Sequence, residues 1–289
     1  MTKSSEGVPT HYIAGHDSSV LRIHSVRDVH GFAAHLLPFL KAGQSVLDVG
    51  CGPGSLTISI AETVGPGKVI GVDIGEPAIT QAESTAKEKH VTNVEFAVGD
   101  AIAGLPFPDS SFDVVHAHQV LQHVSEPLAI LREMRRLAKK PGGIVSIRES
   151  DLGTFNWYPI SPALENYYHN GYARVIKAQG ADANAGRQLH VWCKEAGYSK
   201  DEMVVVQTAA YSIGQRPGLA GKEEREWWAT TFADRIARTD IGMAKAAFDM
   251  GLVTKEELGK VVKAWRDWGA SEDAWFGMMI GEIVCVLDK

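Results

Sequence analysis

The run VLDVGCGPGS at 46–55 places Gly50, Gly52 and Gly54 at alternate positions where an apolar segment gives way to a helical one. Glycine lets the backbone approach a ligand closely and take positive φ. The helix beyond presents N–H groups with no intrahelical acceptor, which in dinucleotide-binding folds hold a pyrophosphate. Here position 55 is Ser, so the G-x-G-x-x-G spacing is not met. Asp48, two residues before Gly50, is foreign to a phosphate cradle; its carboxylate suits a zwitterionic ligand with an ammonium group. Asp73 closes the next apolar run, 21 residues after Gly52, where a carboxylate can accept both hydroxyls of a ribose. Asp100 follows the third run, in Gly99-Asp100-Ala101. There a carboxylate and the next N–H can read an adenine edge. Three acids at three successive strand ends fit the ligand-binding edge of an open parallel sheet, and predict a nucleoside-bearing ligand.

Histidines cluster after the fourth apolar run: His116, His118 and His123, in HAHQVLQH. His116 is expected inside a strand, His118 at its end and His123 about a turn later, with no acid between them, so no metal is expected. His118 and Gln119 are expected to line the ligand pocket. His123 is the candidate catalytic residue, orienting or deprotonating a substrate, since imidazole titrates near neutral pH. A buried histidine capping a helix is an equally open reading.

The elements that position these residues alternate regularly. Strands are expected at 45–49, 68–72, 94–98, 112–117 and 144–148, with helices at 56–64, 77–90 and 127–137 between them. Such alternation means βαβ units and a parallel α/β sheet with right-handed crossovers. After Asp151 the rhythm breaks. An aromatic-rich stretch at about 154–182 precedes a helix at 186–197 and a strand at 203–207. A charged, helical stretch at about 214–273 with Trp227, Trp228, Trp265 and Trp268 precedes a last strand at 281–287. The two interruptions read as helical cap insertions over the substrate side of a domain spanning 41–289. Residues 1–40 read as an arm and helices forming a lid: 1–19 are polar, and 20–40 carry helical apolar spacing interrupted near Gly31.

The 289 residues are 45% apolar and 22% charged, with a net charge of −6. That is the composition of an ordinary globular protein without the electrostatic footprint of a nucleic-acid binder. Cys51, Cys193 and Cys285 form no CxxC pair, and an odd count suits a reducing compartment. The polar N-terminus has no secretory h-region, and no apolar run approaches the ~20 residues that span a bilayer. A cytoplasmic protein with a small-molecule substrate, and neither nucleic acid nor membrane as partner, is expected.

The segments VLDVGCGPG, GVDIGEPAI, VGDAIAGLPFPDSSFDVVHAHQVLQHVSEP and AKKPGGIV resemble class I S-adenosylmethionine-dependent methyltransferases of the subgroup shared with ubiquinone- and menaquinone-biosynthesis enzymes. The resemblance covers about residues 40–150. It implies a Rossmann-like seven-stranded sheet of order 3-2-1-4-5-7-6 with strand 7 antiparallel, and S-adenosyl-L-methionine as methyl donor. It also implies that Asp48, Gly50, Cys51 and Gly52 surround the methionine part. Asp73 and Ile74 would sit at the ribose, and Asp100 with Ala101 at the adenine. Tyr12 and His16 resemble lid residues that order on cofactor binding. The acceptor is expected to be small and apolar or aromatic, held among Trp157, Tyr158, Tyr168, Trp227, Trp228 and Trp265. His123 with Arg148 or Glu149 would supply the polar contacts. Two other readings stay open: a non-catalytic S-adenosylmethionine-binding regulator, and an NAD-dependent oxidoreductase. The latter is disfavoured by the glycine spacing and by the lack of a Tyr-x-x-x-Lys pair after the core.

Overall fold

The computed structural model describes residues 24–213 and 221–288. Among them, seven strands form one sheet in the order β3-β2-β1-β4-β5-β7-β6. They are β1 Val46–Val49, β2 Val69–Asp73, β3 Val94–Val98, β4 Val114–His118, β5 Ile144–Tyr158, β6 Met203–Ile213 and β7 Trp275–Val286. β1 to β5 pair in parallel, while β7 runs antiparallel to both β5 and β6. The central strands β1 and β4 are buried along their whole length, as a parallel sheet covered on both faces requires. Each β-branched run ends where chemistry-bearing residues begin. The registers Val49↔Val72, Val49↔Ala117 and His118↔Arg148 bring the ends of β1, β2 and β4 to one edge, with Arg148 alongside.

Helices Ser55–Val64, Glu76–Glu88 and Pro127–Leu137 are the crossovers. Pro127–Leu137 buries Ile130, Leu131, Met134 and Leu137, a spacing of one, three and three that makes a single apolar stripe. The N-terminal region departs from the expected helical spacing. Val29–Phe32 is a single turn, capped by Asp28 accepting the Gly31 N–H at 2.7 Å, and Leu37–Phe39 is a separate 3₁₀ turn containing Pro38. Proline lacks the N–H that a continuous helix would use. Tyr12 and His16 lie outside the described residues.

The three strands at the far side outrun the expected strands. β5 continues ten residues beyond Arg148, with a register shift between Asp151 and Asn156, and pairs Trp157 with Phe276. β6 reaches Ile213, also opposite Phe276. The extensions contain Gly, Asn and aromatic residues and lack a clean period of two, so the sequence gives no strand signal there, and residues 154–158, expected in the first cap insertion, belong to β5. The extensions continue the antiparallel pairing of β5, β7 and β6 beyond the rest of the sheet. Between β5 and β6 come helix Pro162–Asn166, a π-turn at Tyr167–Tyr172 and helix Ala173–Ala178. Between β6 and β7 come helices Gly221–Ala237, Gly242–Asp249 and Lys255–Ala270. The last begins with a capping box of Thr254 and Glu257. At Gly269 a Cβ would stand 2.4 Å from that of Ala229, so the two long helices touch through small residues. Both insertions and the strand extensions share one apolar cluster, built on Trp157, Leu164, Tyr211, Trp228, Trp265 and Phe276. No described helix is long and apolar enough to cross a membrane.

Candidate active site

The glycine loop turns because its glycines hold φ of 71° at Gly50 and 54° at Gly52. A Cβ on Gly50 would strike Val120 Cγ2 at 2.4 Å, whereas one on Gly52 would meet nothing nearer than His24 Nδ1 at 3.8 Å. Packing therefore demands the first glycine, and the second leaves the cleft beside it open. Asp73 orders the loop: its Oδ2 accepts the Gly52 N–H and its Oδ1 the Gly75 N–H, each at 2.9 Å. A carboxylate offers about four lone-pair sites, and these two backbone bonds fix the plane of the group. Asp48 is buried and accepts from the Thr57 hydroxyl at 2.6 Å. Burial pushes its carboxyl up to about 7; the Thr57 bond opposes the rise and Asp73 adds to it. Cys51 is buried too, and desolvation lifts its thiol well above the ordinary range. Asp100 Oδ1 accepts the Ile102 N–H at 2.8 Å, closing a turn that leaves Ala101 buried.

These residues line a cleft of about 360 Å³ along the strand ends, which takes in Asp48, Gly50, Cys51, Gly52, Asp73, Ile74, Asp100, Ala101, His118 and Gln119. The volume falls in the ~300–1,000 Å³ range of small-molecule sites. A second cavity of about 130 Å³ lies under the insertions, with an aromatic wall that includes Phe32, Tyr168, Tyr172, Trp228 and Phe232. His24, Arg27, Gln119 and His123 line both spaces, so the two meet there. Gln119 at this junction has φ of 55°, a left-handed conformation that side chains other than glycine seldom take and that concentrates at functional sites.

His123 closes the 3₁₀ turn Leu121–His123. The Gln122 amide oxygen accepts from the N–H and hydroxyl of Ser150. Its NH₂ therefore faces His123 Nε2, 3.0 Å away, which makes Nε2 the acceptor and Nδ1 the protonated nitrogen. Burial, with Arg235 and Arg27 adding repulsion, pushes His123 down to about 3. The ring is neutral at physiological pH. His118 is likewise driven well below its usual value, by burial and then by Arg27 and Arg148. His116 points away into the interior, where its Nδ1 lies 3.1 Å from Ser146 Oγ.

Two residues expected at the acceptor part company. Arg148 lines the aromatic cavity and is held by Glu282 at 2.9 Å. Glu149 does not line it: its carboxylate accepts the N–H groups of Val120 and Leu121 at 2.8 and 2.7 Å, and of Gln122 at 3.3 Å. It anchors the turn that carries Gln119 and His123. Among the six aromatic residues expected around the acceptor, Tyr168 and Trp228 reach the cavity. Trp157 and Trp265 are absorbed into the apolar cluster, Trp227 packs against it, and Tyr158 faces solvent at 57% exposure. Sequence reasoning missed Arg27 and Arg235, which line the cavity from segments 208 positions apart. No local pattern links the two, and the fold brings them together.

A family model described as a methyltransferase domain matches residues 40–205. An uncharacterised methyltransferase of Schizosaccharomyces pombe is 32% identical over 285 residues, 95% of each chain. A demethylmenaquinone methyltransferase of Lactococcus lactis is 41% identical over 129 residues, 44% of this chain and 50% of that one. Among solved structures, a Bacillus halodurans protein assigned as a methyltransferase superposes with a TM-score of 0.56 at 18% identity, over 89% of this chain and 98% of the other; that likeness speaks for the fold. The family match covers the sheet edge and glycine loop, and the yeast relative matches nearly end to end. Sequence and topology thus agree, and the chain belongs to the class I S-adenosylmethionine-dependent methyltransferases.

Proposed function

We propose that the enzyme transfers a methyl group in line to a small, largely apolar or aromatic acceptor held in the cavity beneath the helical insertions. The observation that carries this reading is the junction at His24, Arg27, Gln119 and His123, where the strand-end cleft opens into the aromatic cavity. When bound, S-adenosylmethionine supplies a methyl group on a sulfonium that leaves as a neutral thioether.

The cleft fits that group. Asp48 faces the ammonium of the methionine part, with Gly50, Cys51 and Gly52 alongside. Asp73, already oriented by two backbone N–H groups, takes the ribose hydroxyls, with Ile74 beside it. Asp100 and Ala101 read the adenine. His118 and Gln119 close the cleft toward the cavity.

The protein's main task in such a displacement is alignment, worth up to ~7–11 kcal/mol in well-oriented systems, together with exclusion of water. The aromatic wall supplies the dry surface. For His123 the orienting role is the one its chemistry supports: a ring held near 3 is a weak base, and its neutral form carries the proton on Nδ1. The Lactococcus relative is named for demethylmenaquinone, a precedent for a small organic acceptor. The three free cysteines, all buried, fit a reducing, cytoplasmic setting.

The test is a screen of phenols, quinols, hydroxy acids and amines with methyl-labelled cofactor, followed by His123→Ala. Turnover on a small acceptor, lost in the variant while cofactor affinity is kept, supports the proposal. Turnover confined to macromolecules overturns it.

A further inference from the structure

We propose that the apolar body of the acceptor is a single six-membered ring, or a group of that bulk, and that the stacked side chains of Trp228, Phe232 and Trp265 set this limit. This rests on the reading that the aromatic cavity receives the acceptor. The cavity has a volume of about 130 Å³. An engineered apolar cavity of about 150 Å³ takes up benzene, whereas drug-sized ligands occupy sites of about 300–1,000 Å³. One ring fills the space, and a second fused ring has no room in it.

The walls are braced against widening. Trp228 stacks on Phe232 with ring centres 5.4 Å apart and planes inclined by 23°, and Phe232 stacks on Trp265 at 4.5 Å and 20°. Trp265 is 1% exposed and meets the rings of Trp157, Tyr168 and Trp268 edge-on. Moving Trp228 or Phe232 outward would drive the row into a close-packed cluster, and packed interiors yield little. The π-turn contributes Tyr167, Tyr168 and Tyr172 to the lining, with Tyr167 edge-on to Tyr168 at 5.1 Å. Ile213, Ile236, Met243 and Ala244 also line the cavity, and none is more than 4% exposed.

The cavity meets the cofactor cleft at His24, Arg27, Gln119 and His123. The atom that receives the methyl group belongs at this junction, so the ring belongs beyond it, among the aromatic side chains. Phe32 ties the two regions together: its ring lies edge-on to His118 of the cleft at 6.0 Å and lies 5.4 Å from Tyr211 of the cavity. A ring system too long for the cavity would hold its reactive atom short of the in-line position, where a misplacement of about 1 Å costs on the order of 100-fold in rate.

Size selection and plain hydrophobic attraction predict opposite orders of affinity. In an open groove affinity rises with apolar area, so a two-ring phenol binds more tightly than a one-ring phenol. In a closed space of one ring's volume the order reverses, because overpacking is costly. The protein saturated with S-adenosylhomocysteine is titrated with phenol and 4-methylphenol against 2-naphthol and 4-phenylphenol, with affinities read from the ¹⁵N-labelled indole N–H shifts. The one-ring phenols are expected to bind at least about tenfold more tightly. Neither Trp228 nor Ala244 lines the cofactor cleft, so S-adenosylhomocysteine affinity is the control for variants of both. Trp228→Leu shortens the stack and should bring 2-naphthol to within about twofold of phenol. Ala244→Leu fills the cavity and should weaken phenol at least about tenfold. Thermal melting confirms the fold of each variant, and the wild-type titrations decide the size limit without either. Binding of 2-naphthol as tight as that of phenol in the wild type overturns the proposal. So does a phenol preference that Trp228→Leu leaves intact, or a phenol affinity that Ala244→Leu does not move. Binding of none of the probes overturns instead the reading that the cavity receives the acceptor.

Discussion

Arg148 Nη1 lies 2.8 Å from His118 Nε2, and across the same ring Arg27 Nη1 lies 3.1 Å from Nδ1. Two positive groups thus clamp one buried imidazole, and a third positive charge on the ring would be opposed from both sides. His118 should stay neutral throughout the range where an ordinary histidine titrates. Ring ¹⁵N and ¹³C shifts followed from about pH 5 to 8 should not move for His118. A midpoint near the ordinary value would contradict the clamp.

Asp48 should make cofactor binding depend on pH. Its carboxyl sits at about 7 in the folded protein, and an ammonium placed beside it favours the ionised form. Binding of S-adenosylhomocysteine must therefore expel a proton when the pH is below that value. Affinity should weaken by up to about tenfold per pH unit as pH falls below 7, and level off above it. Asp48→Asn should bind more weakly and lose the slope between pH 6 and 8. An unchanged slope in the variant would place the proton elsewhere.

Glu149 should matter for the turn it anchors. With its two oxygens it accepts from three successive backbone N–H groups, and Glu149→Gln turns an NH₂ toward donors it cannot accept. A loss of about 1–3 kcal/mol in urea unfolding is expected, with weaker S-adenosylhomocysteine binding because the same turn carries Gln119. Stability within about 0.5 kcal/mol of wild type would show that the turn holds itself.

Gly50 and Gly52 should respond differently to the same change. Gly50→Ala drives a methyl group into Val120 and should lower the melting temperature. Gly52→Ala meets only open cleft and His24, so it should cost the fold only the ~1–2 kcal/mol of a positive φ while obstructing ligand. Melting curves and calorimetry on both variants check this. Equal loss of stability in the two would contradict the assignment of Gly52 to the cleft.

The chain's order of strands was legible because the first three strands are short apolar runs closed by Gly or Asp and the fourth is a buried run ending at His118. The three acids Asp48, Asp73 and Asp100 mark strand ends by position alone, and they line one cleft. The outer strands were not legible past Arg148, Gln207 and before Gly281. Their extensions leave the two-sided core, so the continuous apolar run disappears and aromatic residues pack on helices of the insertions instead. Glu149 shows a different limit. Its type suggests substrate chemistry, yet its acceptors are spent on the backbone of a neighbouring turn, a partner 27 to 29 positions away that no local pattern reveals. Arg27 and Arg235 escaped notice for the same reason.

The central claim is that the strand-end cleft holds S-adenosylmethionine through Asp73. Calorimetry of the wild-type protein and Asp73→Ala with S-adenosylhomocysteine and with NAD tests it most directly. The account predicts one-site binding of S-adenosylhomocysteine and none of NAD. It also predicts weaker binding in the variant, since each lost charge-assisted hydrogen bond is worth about 1.5–3 kcal/mol before water compensates. NAD binding more tightly than S-adenosylhomocysteine, or undiminished affinity in Asp73→Ala, would contradict it.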